Sequence, residues 1–240
     1  MVIARLDYDG NIIYAEVKDD GFYLGNERLD NAKCRELCPV QPGKVVALGL
    51  NYKEHISELY FESPDNPVFF IKPSTSVIGD GEDIVITVDS RVDYEAELAF
   101  VIGEDCKNVK AGDAHRFILG YTCLNDVTAR EIQRADGQWT RAKSYDTFCP
   151  IGKYIVTDIE PSNLRITARV NGVVRQEGNT KDMIFPVPEI LAFVSSVMTL
   201  RKGDVISTGT PSGIGEIKPG DIVEIEIENI GKLTNRVIKN

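Results

Sequence analysis

The segment Val92-Asp93-Tyr94-Glu95-Ala96-Glu97-Leu98-Ala99-Phe100-Val101-Ile102 decides how this chain is read. Side chains on a strand alternate between its faces, so Tyr94, Ala96, Leu98 and Phe100 share one side while Asp93, Glu95, Glu97, Ala99 and Val101 share the other. Further β-rich segments flank it at 44–50, 68–71, 84–88, 118–123, 153–156, 164–170, 204–208 and 222–227. Helical candidates are fewer: 51–60, 126–135 and 188–199. The last has proline in its first turn and an apolar face of Ile190, Leu191, Phe193, Val194, Val197 and Met198. Strands without a regular strand–helix rhythm argue against a doubly wound parallel sheet and for a mainly β fold with some α.

Residues 1–42 read as a small β-rich N-terminal extension, with Asp9-Gly10 and Asp20-Gly21 as hairpin signals. Cys38-Pro39-Val40-Gln41-Pro42-Gly43 is the expected linker, and 43–240 the expected catalytic domain. The chain has 240 residues, with 37 acidic against 27 basic side chains and a net charge of −10, which argues against a nucleic-acid partner. Five scattered cysteines without Cys-x-x-Cys spacing point to buried free thiols. No apolar run approaches the roughly 20 residues of a membrane span, and the N-terminus carries no secretory h-region, so a cytoplasmic protein without membrane contact is expected.

Glu95 and Glu97 fall on one strand face with Cα atoms roughly 7 Å apart, a spacing at which two carboxylates can converge on a hard divalent cation. A solvated face is the simpler reading of spacing alone, as for Glu224, Glu226 and Glu228. The first segment differs because its carboxylate face turns apolar at Ala99 and Val101, and carboxylates at the mouth of a buried surface need a cation or donors. Asp126 precedes a helical segment and reads in isolation as an N-cap, with Thr128-Ala129-Arg130-Glu131 a competing capping box.

Only two histidines exist. On a helix His55 and Glu58 face the same side, so the carboxylate can hold one imidazole nitrogen while the other takes a proton from water; an exposed surface pair is the alternative. His115 has no acidic or nucleophilic neighbour and reads as structural, and Lys143 in isolation reads as surface. Phosphate-loop, dinucleotide, zinc-protease and serine-elbow motifs are absent.

In this order, Gly49-Leu50-Asn51-Tyr52 through Glu58, Phe70-Ile71-Lys72-Pro73-Ser74-Thr75, Asp93-Tyr94-Glu95-Ala96-Glu97-Leu98, Asn125-Asp126-Val127-Thr128-Ala129-Arg130, Ala142-Lys143-Ser144-Tyr145-Asp146, Val170-Asn171-Gly172, Met183-Ile184-Phe185 and Ser207-Thr208-Gly209-Thr210-Pro211-Ser212-Gly213 resemble the fumarylacetoacetate hydrolase family. The resemblance spans about residues 44–237 and implies a mixed β-sheet roll of that family's C-terminal domain type. It implies Mg²⁺ or Mn²⁺ bound by Glu95, Glu97 and Asp126, a mobile lid whose His55 and Glu58 activate water, and Lys143 as a further catalytic residue. Arg130 and Gln133 correspond to positions that line the substrate or support the metal site, and Thr210 to a contact with the substrate carboxylate. A homodimer is implied as well.

The chemistry suits a small 2-oxo (1,3-dicarbonyl) acid, whose carboxylate and oxo oxygens chelate the cation while an enolate forms. The leading expectation is hydrolytic carbon–carbon cleavage of acylpyruvate or fumarylacetoacetate-type acids. Oxaloacetate decarboxylase and 2-hydroxyhepta-2,4-diene-1,7-dioate isomerase are the alternatives within the family. A dicarboxylic substrate would need a second cation in the pocket, for which Arg130, Arg141 and Lys72 are candidates. A non-catalytic binding module would lack a ligand or the His/Glu pair, and neither is missing here.

Overall fold

A computed structural model describes residues 1–59 and 62–239. Among these residues the chain is mainly β. An 11-stranded sheet runs in the order Glu27–Arg28, Gly21–Leu24, Asn11–Lys18, Val2–Tyr8, Ile155–Val156, Ile118–Asn125, Ala96–Ile102, Val205–Ser207, Val45–Gly49, Val68–Lys72, with Cys34–Leu37 added on Val2–Tyr8. A five-stranded sheet packs against it, in the order Val173–Asn179, Arg165–Val170, Ile222–Ile227, Gly231–Lys239, Ile84–Ile86. Most ladders are antiparallel, but Val205–Ser207 lies parallel to Val45–Gly49 and Gly231–Lys239 parallel to Ile84–Ile86, which makes the fold a mixed-sheet roll.

Ala96–Ile102 sits at the centre, and each of its residues is buried. Ala96, Leu98, Phe100 and Ile102 face a core that includes Ile166, Ile225 and Ile227 of the second sheet. Ala99 and Val101 face a smaller cluster with Val40, Leu124 and Ile155. A strand covered on both sides has no solvated face, so polar side chains at its end enter the protein.

The expected continuous strand over 92–102 breaks at Glu95. Val92–Tyr94 joins a three-stranded sheet, while Ala96–Ile102 joins the large one. Asn125 causes the break: its side-chain Oδ1 accepts from the Glu95 N–H at 3.0 Å, and the Glu95 carbonyl accepts from the Asp126 N–H at 2.9 Å.

The three helices form with shifted bounds. The first runs Lys53–Leu59, and Tyr60, included in the expected span, lies outside the described residues. The second runs Arg130–Asp136 and starts later than expected, because Thr128 and Ala129 pair with Asp93 and Val92 as a short strand. The third runs Val187–Val197 and buries Ile190, Leu191 and Val194, whereas Val197, assigned to its apolar face, is exposed in the last turn before Met198 caps the helix. All five cysteines are free; Cys106, Cys123 and Cys149 are buried, while Cys34 and Cys38 are only partly so. Among the described residues no helix is long and apolar enough to cross a membrane.

Candidate metal centre and active site

The pairing of Ala96 with Asn125 and Glu97 with Leu124 brings the end of one central strand beside the start of the other. As a result Glu95, Glu97 and Asp126 converge, with one carboxylate oxygen from each lying within 4.8 Å of the others, and all three are buried. The solvated-face reading therefore fails for Glu95 and Glu97. It holds for the other acidic strand, where Glu224 and Glu226 are partly exposed and Glu228 is exposed. The N-cap reading of Asp126 fails too. The helix begins at Arg130 with Ala129 as a cap that makes no side-chain bond, and Thr128 Oγ1 donates instead to Glu95 Oε1 at 3.2 Å and the Asp126 carbonyl at 2.9 Å.

Three buried cations interlock with these acids. Lys143 Nζ donates to Glu95 Oε2 at 2.8 Å and Asp126 Oδ2 at 2.6 Å. Lys72 Nζ bonds the other Asp126 oxygen, Oδ1, and the Val127 carbonyl. Arg130 donates from Nε to Asp93 Oδ2 at 2.8 Å, from Nη2 to Glu95 Oε1, and from Nη1 to Gln133 Oε1. Lys143, read in isolation as surface, is thus buried at the centre. Of the three candidates for a second pocket cation, Arg130 and Lys72 are committed to the acids, and Arg141 is on the exterior, paired with Asp136.

Among the described residues Glu97 has no such partner. Its Oε2 accepts from Ser207 Oγ and from the Gly209 N–H at 2.9 Å, but its buried Oε1 makes no hydrogen bond to any of them. An isolated buried carboxylate oxygen is costly. Burial, with the negative charges of Asp126 and Glu95 added, pushes the Glu97 carboxyl well above the usual range. Burial raises Glu95 as well, but the Lys143 and Arg130 charges outweigh it and hold that carboxyl below the usual range. Burial opposes the charge on Lys143, and Asp126 and Glu95 more than restore it, keeping the ammonium charged. An oxygen-only set with one unsatisfied carboxylate fits a hard divalent cation and leaves room in its coordination for a ligand.

The loop that serves Glu97 also receives the first helix. Leu50 adopts φ 59°, a turn unusual for a branched residue, and hands the chain to buried Asn51. Asn51 Nδ2 donates to the Thr208 carbonyl at 2.7 Å, and its Oδ1 accepts from the Phe185 N–H at 2.8 Å. Gly209 turns beside it at φ 88°, where a Cβ would come within 2.9 Å of the Asn51 Cβ, so no larger residue fits. The Lys53–Leu59 helix thereby lies over the loop. Ser212 Oγ donates to Glu54 Oε2 and the Gly213 N–H to Glu58 Oε1, both at 3.1 Å. His55 Nδ1 lies 3.0 Å from Glu58 Oε2; His55 is only 5% exposed, so the imidazole is not on the surface, whereas Glu58 is exposed. A cleft of about 450 Å³ opens beside this helix, lined by Tyr52, Lys53, Glu54, Lys181, Asp182 and Ser212, and Lys53 and Lys181, neither foreseen in that role, are the cations it offers to a second substrate carboxylate.

Thr210 is buried, donating from Oγ1 to the Ala96 carbonyl at 2.8 Å. His115 is exposed and stands apart, lining a different groove with Tyr121 and Pro186. Sequence reasoning missed Asp93, Asn125, Ser207 and Gln176, and left Lys72 unplaced. Lys72 did carry a signal, because it is in phase with the buried Phe70 on its strand. Asn125 and Gln176 carried none, because their partners Glu95 and Ala96 lie 30 and 80 residues away.

Residues 44–238 match the family described as fumarylacetoacetate (FAA) hydrolase C-terminal. An uncharacterized protein of Archaeoglobus fulgidus is 56% identical over 241 residues, covering 99% of this chain and 96% of its own length. The mitochondrial oxaloacetate tautomerase of Homo sapiens is 43% identical over 224 residues, covering 88% of this chain and 71% of its own. The crystal structure of 5-carboxymethyl-2-hydroxymuconate delta-isomerase from Mycobacterium smegmatis superposes with a TM-score of 0.91 at 43% identity, covering 100% of this chain and 99% of the other. The chain belongs to the fumarylacetoacetate hydrolase family.

Proposed function

We propose that this chain is a Mg²⁺- or Mn²⁺-dependent enzyme that transfers a proton on a small 2-oxo acid of the oxaloacetate type, interconverting its keto and enol forms, with Glu95, Glu97 and Asp126 holding the cation. The observation that carries this is the orphaned Oε1 of Glu97 among three convergent carboxylates. When bound, the cation supplies a chelation point for the acid's carboxylate and oxo oxygens and the positive charge that favours an enolate. Glu58 takes the His55 Nδ1–H and so fixes the tautomer that leaves Nε2 free to accept or return a proton. Lys143 has three N–H donors, of which two are spent on Glu95 and Asp126, and the third is available to a substrate oxygen. Arg130, braced by Gln133, orients Glu95. Thr210 belongs with the supporting residues, because its hydroxyl hydrogen goes to the Ala96 carbonyl.

The relatives named tautomerase and isomerase favour proton transfer over the hydrolysis that the sequence put first. Hydrolysis of an acylpyruvate is the second reading, favoured by the same His55 Nε2, which could take its proton from water. Enol oxaloacetate, acetylpyruvate and a 2-hydroxydienoate assayed side by side with Mg²⁺, Mn²⁺ and EDTA separate the readings. Turnover that survives EDTA would defeat both, and cleavage of acetylpyruvate without tautomerisation would install the second. Residues 1–42 are proposed as an extension of the 43–240 catalytic domain and the assembly as a homodimer, which the mass in solution tests.

A further inference from the structure

We propose that Gln176, on the second sheet, is a positioning residue that sets the spacing of Glu95 and Glu97 and couples them to the loop beneath the His55 helix. The inference rests on the metal-site reading above.

Ala96 lies between the two carboxylates, at the end of a strand that has lost its neighbour. On that edge the ladder to Val205–Ser207 covers only Ala99, Phe100 and Val101, and the Thr208 N–H extends it to the Leu98 carbonyl. Beyond that point side chains replace the missing strand. Gln176 Oε1 accepts from the Ala96 N–H at 3.1 Å, Gln176 Nε2 donates to Thr210 Oγ1 at 2.7 Å, and Thr210 Oγ1 donates to the Ala96 carbonyl at 2.8 Å. These three bonds close a ring around one residue, fixing both peptide groups of Ala96 and hence the directions in which Glu95 and Glu97 leave the backbone. Gln176 Nε2 also donates to the Pro211 carbonyl at 2.7 Å. That carbonyl belongs to the loop whose Gly209 N–H holds Glu97 and whose Gly213 N–H holds Glu58.

A strand residue can reach so far inward because its strand is bulged. Ala168 pairs with Gln176 but Arg169 with Val174, so Arg175 is the extra residue. Val173, Val174 and Arg175 are exposed in succession, and Gln176 is then 1% exposed. Gly178 on the same strand packs against Pro211, where a Cβ would meet the ring at 2.5 Å. A buried amide with all of its bonds made within one network specifies a geometry that an apolar side chain of similar size cannot.

Outer partners of metal ligands typically change metal affinity about 10–100-fold when removed. The test is Mn²⁺ titration followed by electron paramagnetic resonance on Gln176→Leu, Thr210→Val, the double variant and Thr210→Ser, with metal-free melting temperatures alongside. Mn²⁺ affinity should fall about 10–100-fold in Gln176→Leu and Thr210→Val, no further in the double variant because both open one ring, and hardly at all in Thr210→Ser, which keeps the hydroxyl. Should the leucine variant fail to fold, Gln176→Glu carries the same expectation, since it keeps the volume and the acceptor for Ala96 but offers no N–H to Thr210 or Pro211. Wild-type Mn²⁺ affinity in a folded Gln176 variant, with or without a lower melting temperature, would make Gln176 merely structural and overturn the proposal. Glu97→Gln is the control that separates the two levels. If it loses Mn²⁺ while the Gln176 variants keep it, this inference alone fails, and if it also binds like wild type, the metal-site reading fails with it.

Discussion

Glu97→Gln should stabilise the metal-free protein and destabilise the metal-bound one relative to wild type. The amide oxygen can keep both bonds that Glu97 Oε2 accepts from Ser207 and Gly209, while the amide nitrogen takes the place of the orphaned Oε1 and faces Glu95 and Asp126. Removing an unsatisfied buried acceptor relieves about 1–3 kcal/mol, which for a chain of this size corresponds to about 2–12 °C in melting temperature. The sign with pH follows from the raised Glu97 carboxyl, which holds its proton in the folded state at pH values where the unfolded chain has released it. That contribution is fully present below the ordinary carboxylate value of about 4.3 and is lost as pH rises through the native value, at up to about 1.4 kcal/mol per unit. Glutamine has no proton to lose, so the advantage of the variant in EDTA should widen between about pH 5 and pH 8. Mn²⁺ at roughly 100 times its dissociation constant should stabilise wild type by about 2.7 kcal/mol and the variant far less, so adding it reverses the order of melting. Differential scanning calorimetry across that pH range, with EDTA and with Mn²⁺, reads all of this. A variant that melts below wild type in EDTA at every pH would refute the account of Glu97 as the uncompensated carboxylate.

His55→Gln should lower kcat by about 10²–10⁴ while Mn²⁺ affinity stays within about threefold, because His55 bonds Glu58 and none of the three carboxylates; a parallel loss of Mn²⁺ in the titration would move His55 into the metal site. Lys143→Met leaves one oxygen each of Glu95 and Asp126 without its buried cation, and urea denaturation in EDTA should show a loss of about 3–5 kcal/mol. An unchanged denaturation midpoint would mean that Lys143 contributes nothing to holding the acids together.

What the sequence disclosed depended on how far apart the interacting residues lie. Alternation in 222–227 and the pairing of His55 with Glu58 three residues on were legible, because strand and helix periods are local. Glu95, Glu97 and Asp126 were visible as candidates, but their isolated readings as solvated face or cap failed because the strand beside them is buried on both sides. The break at Glu95 depends on Asn125, 30 residues away, and the ring at Ala96 depends on Gln176, 80 residues away. Neither leaves a trace in a sequence window. Gln176 is hidden further by its bulge, since Arg175-Gln176-Glu177 reads as an ordinary polar strand face. The helix expected over 126–135 starts late for the same reason: Thr128 and Ala129 pair with Asp93 and Val92, 35 and 37 residues upstream, and that pairing overrides the capping pattern.

The charge balance of the cluster also dictates an order of binding. Asp93, Glu95, Glu97 and Asp126 face Lys72, Arg130 and Lys143, all seven buried, so four carboxylates against three cations leave one negative charge when Glu97 is ionised. Arg91 also bonds Asp93, but its side chain is 45% exposed and solvent screens it. Without the metal the raised Glu97 carboxyl keeps its proton and the cluster is neutral, so a carboxylate substrate approaching it alone finds no unpaired positive charge to hold it. With one divalent cation the balance becomes one positive charge, which a 2-oxo acid's carboxylate neutralises. The protein's own cations therefore cannot substitute for the metal, because each is already bonded to an acid, and substrate binding should require the metal first. Titration calorimetry with oxalate, a non-reacting 1,2-dicarbonyl dianion, should give no heat in EDTA and saturable binding once Mg²⁺ or Mn²⁺ is present. Tight oxalate binding in EDTA would show that Lys143 and Arg130 release their carboxylates to the ligand, and the ordered scheme would be wrong.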